Sequence, residues 1–469
     1  MFGCEPACAG NLQGTSTGEM RKTVATVALT LAAVLATAPA ASAEAGQPGS
    51  DYVPGELLVR FAGEREQRLV ELPPAVGVET AARALRENPT VTYAVPDYIA
   101  RASLVPNDTG IGGGPGAWQR TQWNFLPCGS LCGQSPTPLP FEARGGLNAP
   151  GAWDVLRSRR APGAKGVKVA VLDTGVAYLT EKPRFRRSPD FSRKQFLPGH
   201  DFVDGNDMPL DRDGHGTHVA GTIAERTGNR FALTGLAYGA RIIPVRVLDA
   251  QGFGRARDIG RGVRFAAERG AKVINMSFEF SPAVNSCAKI PTICSAIRFA
   301  AKRGAVVVSA AGNANGQPVA LPAGAPHVIG VGRVTKDACL ADGSRTGTGL
   351  DLVAPGGGLP LLSTCGTNDF YFARTAQISQ LTFRGRNFRR FGYPSGYEGT
   401  SMAAAHVSGV AAMVIASRVV RRSPAAVECQ LEGTARNQPG QLGQPYDPLL
   451  FGAGLVDAAA AVTAAAPGC

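Results

Sequence analysis

Histidine is scarce in this chain, five among 469 residues, and charged side chains make up only 18%. No two histidines are spaced as H-E-x-x-H, which excludes the metallopeptidase helix that carries two imidazoles and a glutamate on one face. Cysteine never recurs as paired C-x-x-C, so thiolate-held zinc finds no support. There is no internal repeat and no long low-complexity tract. Beyond the N-terminal segment no stretch reads as a transmembrane helix. Acids are outnumbered, 36 against 48 Lys and Arg, for a net charge of +12. The bases are scattered, with clusters at Arg184–Arg187, Arg255–Arg264 and Arg384–Arg390, and no nucleic-acid recognition motif accompanies them. Nucleic acid is therefore not an expected partner.

What is present is a hydrophobic content of 44% with 59 glycines and 34 prolines, enough for a large core crossed by many tight turns. Arg21 and Lys22 precede the apolar run "TVATVALTLAAVLATAPA", and "ASA" follows at 41–43. Basic, apolar and small-residue regions in that order predict a secretory signal over residues 1–43, cut after Ala43, with Met20 as an alternative start. Export implies an extracellular protein with no membrane attachment after cleavage. It also turns the eight remaining cysteines into disulfide candidates. Neighbour pairing gives Cys128–Cys132, Cys287–Cys294, Cys339–Cys365 and Cys429–Cys469.

Residues 44–105 read as a small α+β unit: "GELLVRF" as a strand, "VETAARALREN" as a helix and "VTYAVPDYIA" as a second strand. "LVPNDTGIGGGPGA" reads as a flexible joint open to proteolysis. From about residue 106 to 469 continuous apolar strands such as "VKVAVLD", "ARIIPVRVL", "AKVINMSF" and "AVVVSAAGN" alternate with amphipathic helices. That order predicts an α/β fold, a mostly parallel sheet with helices on both faces, whose functional groups gather at the carboxyl ends of the strands.

Three motifs fall at such places. In "VAVLDTGV" Asp173 ends a buried strand. Asp-Thr-Gly also marks aspartic proteases, and Asp108-Thr109-Gly110 is a second copy. That chemistry needs two carboxylates sharing a proton, and the first copy sits in the joint with no strand end to hold it. In "DGHGTHVAG" His215 lies between glycines at the mouth of a helix, while His218 reads as a packed histidine. In "EGTSMAAAHVSG" Ser401 opens a helix, whose free N–H groups and positive dipole end suit a developing anion.

Taken together, in the order Asp, His, Ser, these segments resemble the subtilisin-like serine proteases. "QWNF", "LNAPGAWDVL" and "GAGLVDAAAAV" extend the resemblance from about Gln122 to near the C-terminus. It implies the three-layer subtilisin-like fold over 106–469 and a secreted endopeptidase acting on protein or peptide substrates. It further implies an inhibitory propeptide over 44–105 that blocks its own enzyme until cut away, a monomer, and no cofactor for catalysis. Asp173, His215 and Ser401 would form the triad. Asn313, in "SAAGNANG", would join the Ser401 amide as the oxyanion hole.

Departures from the family pattern are informative. Ala405 stands where Pro is usual. "NMSFEF" replaces the usual Ser-Leu-Gly-Gly substrate strip, so Ser277, Phe278 and Glu279, with Gly312 opposite, are the expected substrate-binding residues. Glu279 would then repel acidic substrate groups and attract basic ones. Residues 367–397 form an insert before the serine motif that either flanks the active-site cleft or, the favoured reading, is a disulfide-tethered surface decoration. "HDFVDGNDMPLDRDGHG" offers Asp201, Asp204, Asn206 and Asp207 as hard oxygen ligands for a structural calcium ion. The rival from another class is a catalytically silent secreted binding protein on the same fold.

Overall fold

A computed structural model describes residues 52–64, 66–74, 76–98, 106–132, 141–361, 376–437 and 446–469. The expected signal segment and Cys365 lie outside these. The chain forms two compact units, Met1–Ala102 and Ser103–Cys469.

In the first unit β1 (Tyr52–Phe61), β2 (Arg68–Glu71) and β3 (Val91–Tyr98) make an antiparallel sheet in the order β2-β1-β3. Helix α1 (Val78–Arg86) covers it, and Leu57, Val59, Val78, Ala81, Ala82, Leu85 and Ala94 form the small core. The sequence pattern missed β2, a four-residue strand whose side chains are only half-buried.

The second unit is built on a seven-stranded parallel sheet. Its strands are β4 (Lys168–Asp173), β5 (His200–Asp201), β6 (Arg241–Arg246), β7 (Val273–Met276), β8 (Val306–Ala310), β9 (Ile329–Val334) and β10 (Leu352–Pro355). Their order is β10-β9-β8-β7-β4-β6-β5, so the winding direction reverses at β4. Side chains alternate across each strand, which is why β4 can feed two cores. Val169 and Val171 pack into one face with α2 (Ala149–Ser158), α3 (His215–Ala224) and α6 (Thr400–Ser417). Ala170 and Leu172 pack into the other with α4 (Ala256–Glu268) and α5 (Pro291–Lys302). Helix α7 (Pro424–Gly433) and α8 (Ala458–Thr463) complete the C-terminal end. This is the expected three-layer arrangement.

Every residue of α6 is buried. Among the described residues it is the one helix long and apolar enough to cross a membrane, and it is the core helix of this sheet instead. Its small side chains let it lie close to its neighbours. A Cβ on Gly409 would stand 2.9 Å from Leu236 Cδ2.

The expected flexible joint is corrected from Pro106 onward. Trp118 is fully buried, packs edge-on against Trp153 at 5.7 Å and donates its indole N–H to Pro106 O. The buried Asp108 carboxylate accepts from Gly228 N and Asn229 N at 2.7 and 3.2 Å. Turn-forming residues here bend a segment that the core then pins. Disulfides join Cys128 to Cys132, Cys287 to Cys294 and Cys429 to Cys469, and Cys339 is also disulfide-bonded.

Gly409→Val should cost about 1–3 kcal/mol by overpacking against Leu236, read from urea unfolding; unchanged stability would show that α6 can move aside.

Candidate active site

Asp173 sits at the carboxyl end of β4, where the strand order reverses, and is fully buried. Its Oδ1 accepts from Thr174 N and from His215 Nδ1, each at 2.7 Å. His215 opens α3 behind Gly214, whose φ of +119° a side chain would resist. A second buried acid fixes this approach. Asp211 accepts from Thr174 Oγ1, Asp213 N, Gly214 N and Thr217 N at 2.9 Å each, and from Thr217 Oγ1 at 2.5 Å. Thr174 Oγ1 accepts in turn from Gly216 N at 3.0 Å. A Cβ on Gly216 would fall 2.1 Å from Gly175 O, so only glycine lets the two loops meet.

Burial opposes protonation of the His215 ring. The Asp173 carboxylate, by charge and hydrogen bond, with Asp213 and Asp211 behind it, outweighs that and raises the imidazole to about 9. The ring is a strong base oriented by a buried acid, with about a quarter of its surface exposed.

Ser401 is the second residue of α6. Its hydroxyl donates to Ser277 O at 3.1 Å, and Ser277 Oγ donates back to Ser401 O at 2.9 Å. Asn275 Nδ2 donates to Ser277 Oγ, and Ser408 Oγ donates to Asn275 Oδ1. A buried polar chain thus ties β7 to α6. Asn313 Oδ1 accepts from Thr400 N at 2.9 Å, and Gly312 N donates to Thr400 Oγ1 at 3.1 Å. With its oxygen so held, the Asn313 amide nitrogen has no hydrogen bond among the described residues and is free to meet an anion beside Ser401.

The expected substrate strip is more constrained than the sequence suggests. Phe278 and Phe280 pack toward the α4–α5 face. Glu279 Oε1 accepts from Asn313 N at 2.9 Å, and Oε2 pairs with Arg345 Nη2 at 2.6 Å. Arg345 is only 5% exposed. The expected pull of Glu279 on basic groups is corrected accordingly: its charge is already matched. Gly312 has φ +112°, and a Cβ there would lie 2.6 Å from Glu279 Oε2.

His218 is a packed histidine. Its Nε2 donates to Ile378 O at 2.9 Å, its ring stacks on Tyr397 at 4.1 Å, and burial lowers it to about 3. These contacts also correct the reading of the insert as decoration for residues 376–397. Ile378 through Phe383 are buried, and Thr382 Oγ1 donates to Gly214 O at 2.6 Å, so this segment walls the His215 loop. Residues 367–375 lie outside the described ones.

The calcium ligands expected at Asp201, Asp204, Asn206 and Asp207 are corrected too. Arg246 Nη1 pairs with Asp201 and Asp204 at 2.8 and 3.0 Å, Arg212 pairs with Asp204 at 2.5 Å, and His200 Nδ1 meets Asp207 at 2.7 Å. Asn206 Oδ1 accepts from Met208 N. The chain's own cations fill the place of a metal. Carboxylates wanting a cation occur elsewhere. Asp190 and Glu225 are fully buried, and Asp190 Oδ2 and both Glu225 oxygens lack hydrogen bonds. Burial pushes Asp190 up to about 8 and Glu225 well above its usual range. Asp351, Glu428 and Glu432 form a separate, half-buried acidic group.

Asp211, Asn275, Thr400 and Ser408 escaped the sequence reading. Only Asp211 left a signal, as an aspartate positioned to cap the amides two and three residues on.

An imidazole made basic by a buried acid, on the same sheet edge as a serine at a helix mouth, is equipped for acyl transfer, the chemistry of serine-type endopeptidases. Residues 164–454 match the subtilase family, and the chain belongs to that family. It is 32% identical to a thermophilic serine proteinase of a Bacillus species over 385 residues, 77% of this chain and 78% of that protein. It is 33% identical to an extracellular protease of Xanthomonas campestris pv. campestris, covering 83% of this chain and 62% of that one. Among solved structures it resembles a protease of Pseudoalteromonas arctica, with a TM-score of 0.58 and 32% identity over 77% of this chain and 100% of that one. The protein is a serine-type endopeptidase that acts on protein substrates, and its family needs no catalytic cofactor.

A ring that accepts a proton must be neutral, so if catalysis runs through His215, kcat/KM should fall as pH drops below its raised value, with a limb near pH 9 in the free enzyme. Asp213→Asn removes a nearby exposed charge and should move that limb down by roughly 0.5 unit. A limb that stays in place would show that Asp213 does not reach the ring.

Proposed function

We propose that this protein is an exported, self-processing zymogen whose Asp173, His215 and Ser401 form the catalytic triad. The observation that carries the reading is the 2.7 Å bond from His215 Nδ1 to the buried Asp173, because it leaves Nε2 as the basic nitrogen. On binding a peptide, the Ser401 hydroxyl turns from the Ser277 carbonyl to that nitrogen; such hydrogen bonds tighten only in the complex. His215 takes the proton as Ser401 Oγ attacks the scissile carbonyl. Asp173 holds the ring and balances the imidazolium. The tetrahedral oxyanion accepts from Ser401 N–H and the Asn313 side-chain amide. His215 then protonates the leaving amine, and water repeats the cycle on the acyl-enzyme.

Residues 1–43 serve export, 44–105 act as the intramolecular inhibitor, and 106–469 form the mature monomeric peptidase with its insert at 367–397. A structural Ca²⁺ belongs with the buried Asp190 and Glu225, where it would ionise two carboxyls that burial otherwise keeps protonated.

Ser401→Ala should abolish hydrolysis of casein and leave the secreted protein at its unprocessed mass, whereas wild type loses its prosegment. Wild-type cleavage by the alanine variant would end the proposal. Asn313→Ala should lower kcat about 10²–10³-fold with little change in KM, a magnitude taken from the asparagine of a subtilisin, a relative of this protein. A chelator should lower the Tm of wild type but not that of Asp190→Asn; equal losses would place the ion elsewhere.

A further inference from the structure

The insert before Ser401 carries a hairpin, β11 (Thr382–Arg384) and β12 (Asn387–Gly392). Its sequence from 384 to 390 is RGRNFRR, and all four arginines are exposed. Three contacts fix it to the loop before Asp190. Phe388 stacks on Phe185 at 5.3 Å, Arg186 N donates to Phe388 O at 3.0 Å, and Arg389 Nη1 donates to Pro183 O at 2.7 Å. Between hairpin and loop lies an open cleft of about 550 Å³, lined by Arg186, Arg384, Arg389, Arg390, Phe391 and Tyr393 among others, with no carboxylate in its wall.

This cluster differs from the other arginine-rich stretch. On α4, Arg257 and Arg261 pair with Asp258, and Arg264 pairs with Glu268. In the cleft, among the described residues, the side chains of Arg186, Arg384 and Arg390 have no ion pair or hydrogen bond. The acids that act on Tyr393, Asp190 and Glu225, are buried and outside the lining. Guanidinium groups gathered around one concavity without counter-charge concentrate positive potential there, and their planar forks suit carboxylates. The hairpin is also tied to the reactive centre. Thr382 bonds Gly214, the residue before His215. Arg384 lies two residues on, about 7 Å along an extended strand.

We propose that this cleft is a secondary substrate-binding site that captures acidic segments of a polypeptide a few residues from the bond being cut. It rests on the peptidase reading above. The recognised chemistry is a run of Asp or Glu carboxylates, with the flanking aromatic rings covering its backbone.

The test uses peptides with one common scissile segment, flanked four to eight residues away, on either side, by Glu-Glu-Glu-Glu or Gln-Gln-Gln-Gln. Wild type should cleave one acidic-flanked peptide at least about 10-fold better in kcat/KM at low salt, chiefly through KM, and lose the advantage in 0.5 M salt. The double variant R384Q/R390Q should cleave the glutamine peptides at the wild-type rate and show no preference. Fluorescence anisotropy of the labelled acidic peptides on Ser401→Ala, with and without R384Q/R390Q, gives a reading independent of catalysis. It separates failure of this proposal from failure of the triad. Absence of any acidic preference, its persistence in the double variant, or binding of phosphatidylserine vesicles with no discrimination between peptides would overturn the proposal.

Discussion

A carboxylate buried at the end of β4 is the constraint on which the rest of the site depends. Asp173 has no exposed surface, and leaving such a charge unpartnered costs several kcal/mol. The fold answers with the Thr174 amide and the His215 ring. Bringing that ring in requires two loops to interlock, and Asp211 does the interlocking by accepting five hydrogen bonds from four residues. Glycines 214 and 216 stand where the interlock leaves no room or no ordinary backbone angle. The basicity of His215 thus follows from the interlock, which holds the Asp173 carboxylate against the ring firmly enough to outweigh the burial that opposes protonation.

The far side of the site is built by a different device. Helix α6 is wholly buried and mostly alanine, glycine and valine, so it sits deep against β7–β10 and can present its first turn at the sheet edge. The chain Ser408–Asn275–Ser277–Ser401 satisfies the polar groups that this burial would otherwise strand. Thr400 does the same for Asn313, holding its oxygen so that its nitrogen remains available. Ser401 and Asn313, the proposed nucleophile and oxyanion donor, are placed by one local hydrogen-bond network.

The sheet, its parallel sense and the three strand-end or helix-mouth residues were legible because each rests on local pattern. Strands buried on both faces read as unbroken apolar runs, and glycine beside His215 or Ser401 marks a tight approach. What the chain hides is pairing over distance. The acid-rich loop at 201–207 looks like a cation site until Arg246, some forty residues on, is seen to occupy it. Glu279 looks free until Arg345 appears beside it. The joint after residue 102 looks loose because turn residues are ambiguous, and only the burial of Asp108 and Trp118 shows a pinned segment. Nothing local in residues 376–383 announces that their carbonyls and hydroxyls complete the His215 helix.

The placement of charge around the site follows one rule. Around the site several acids are matched by a partner: Asp173 by His215, Glu279 by Arg345, and, on the outer strands, Asp201 and Asp204 by Arg246. A matched charge lends rigidity and orientation but offers little to a substrate, because any new ionic contact must displace an existing partner in a poorly hydrated place. Gly312, left-handed and pressed against the Glu279–Arg345 pair, leaves that part of the strip no slack to rearrange. Unmatched charge is kept at the hairpin, where water screens it and its mutual repulsion is tolerable. Selection by charge is therefore poorly served by the strip at Glu279 and well served by a surface a few residues along the bound chain.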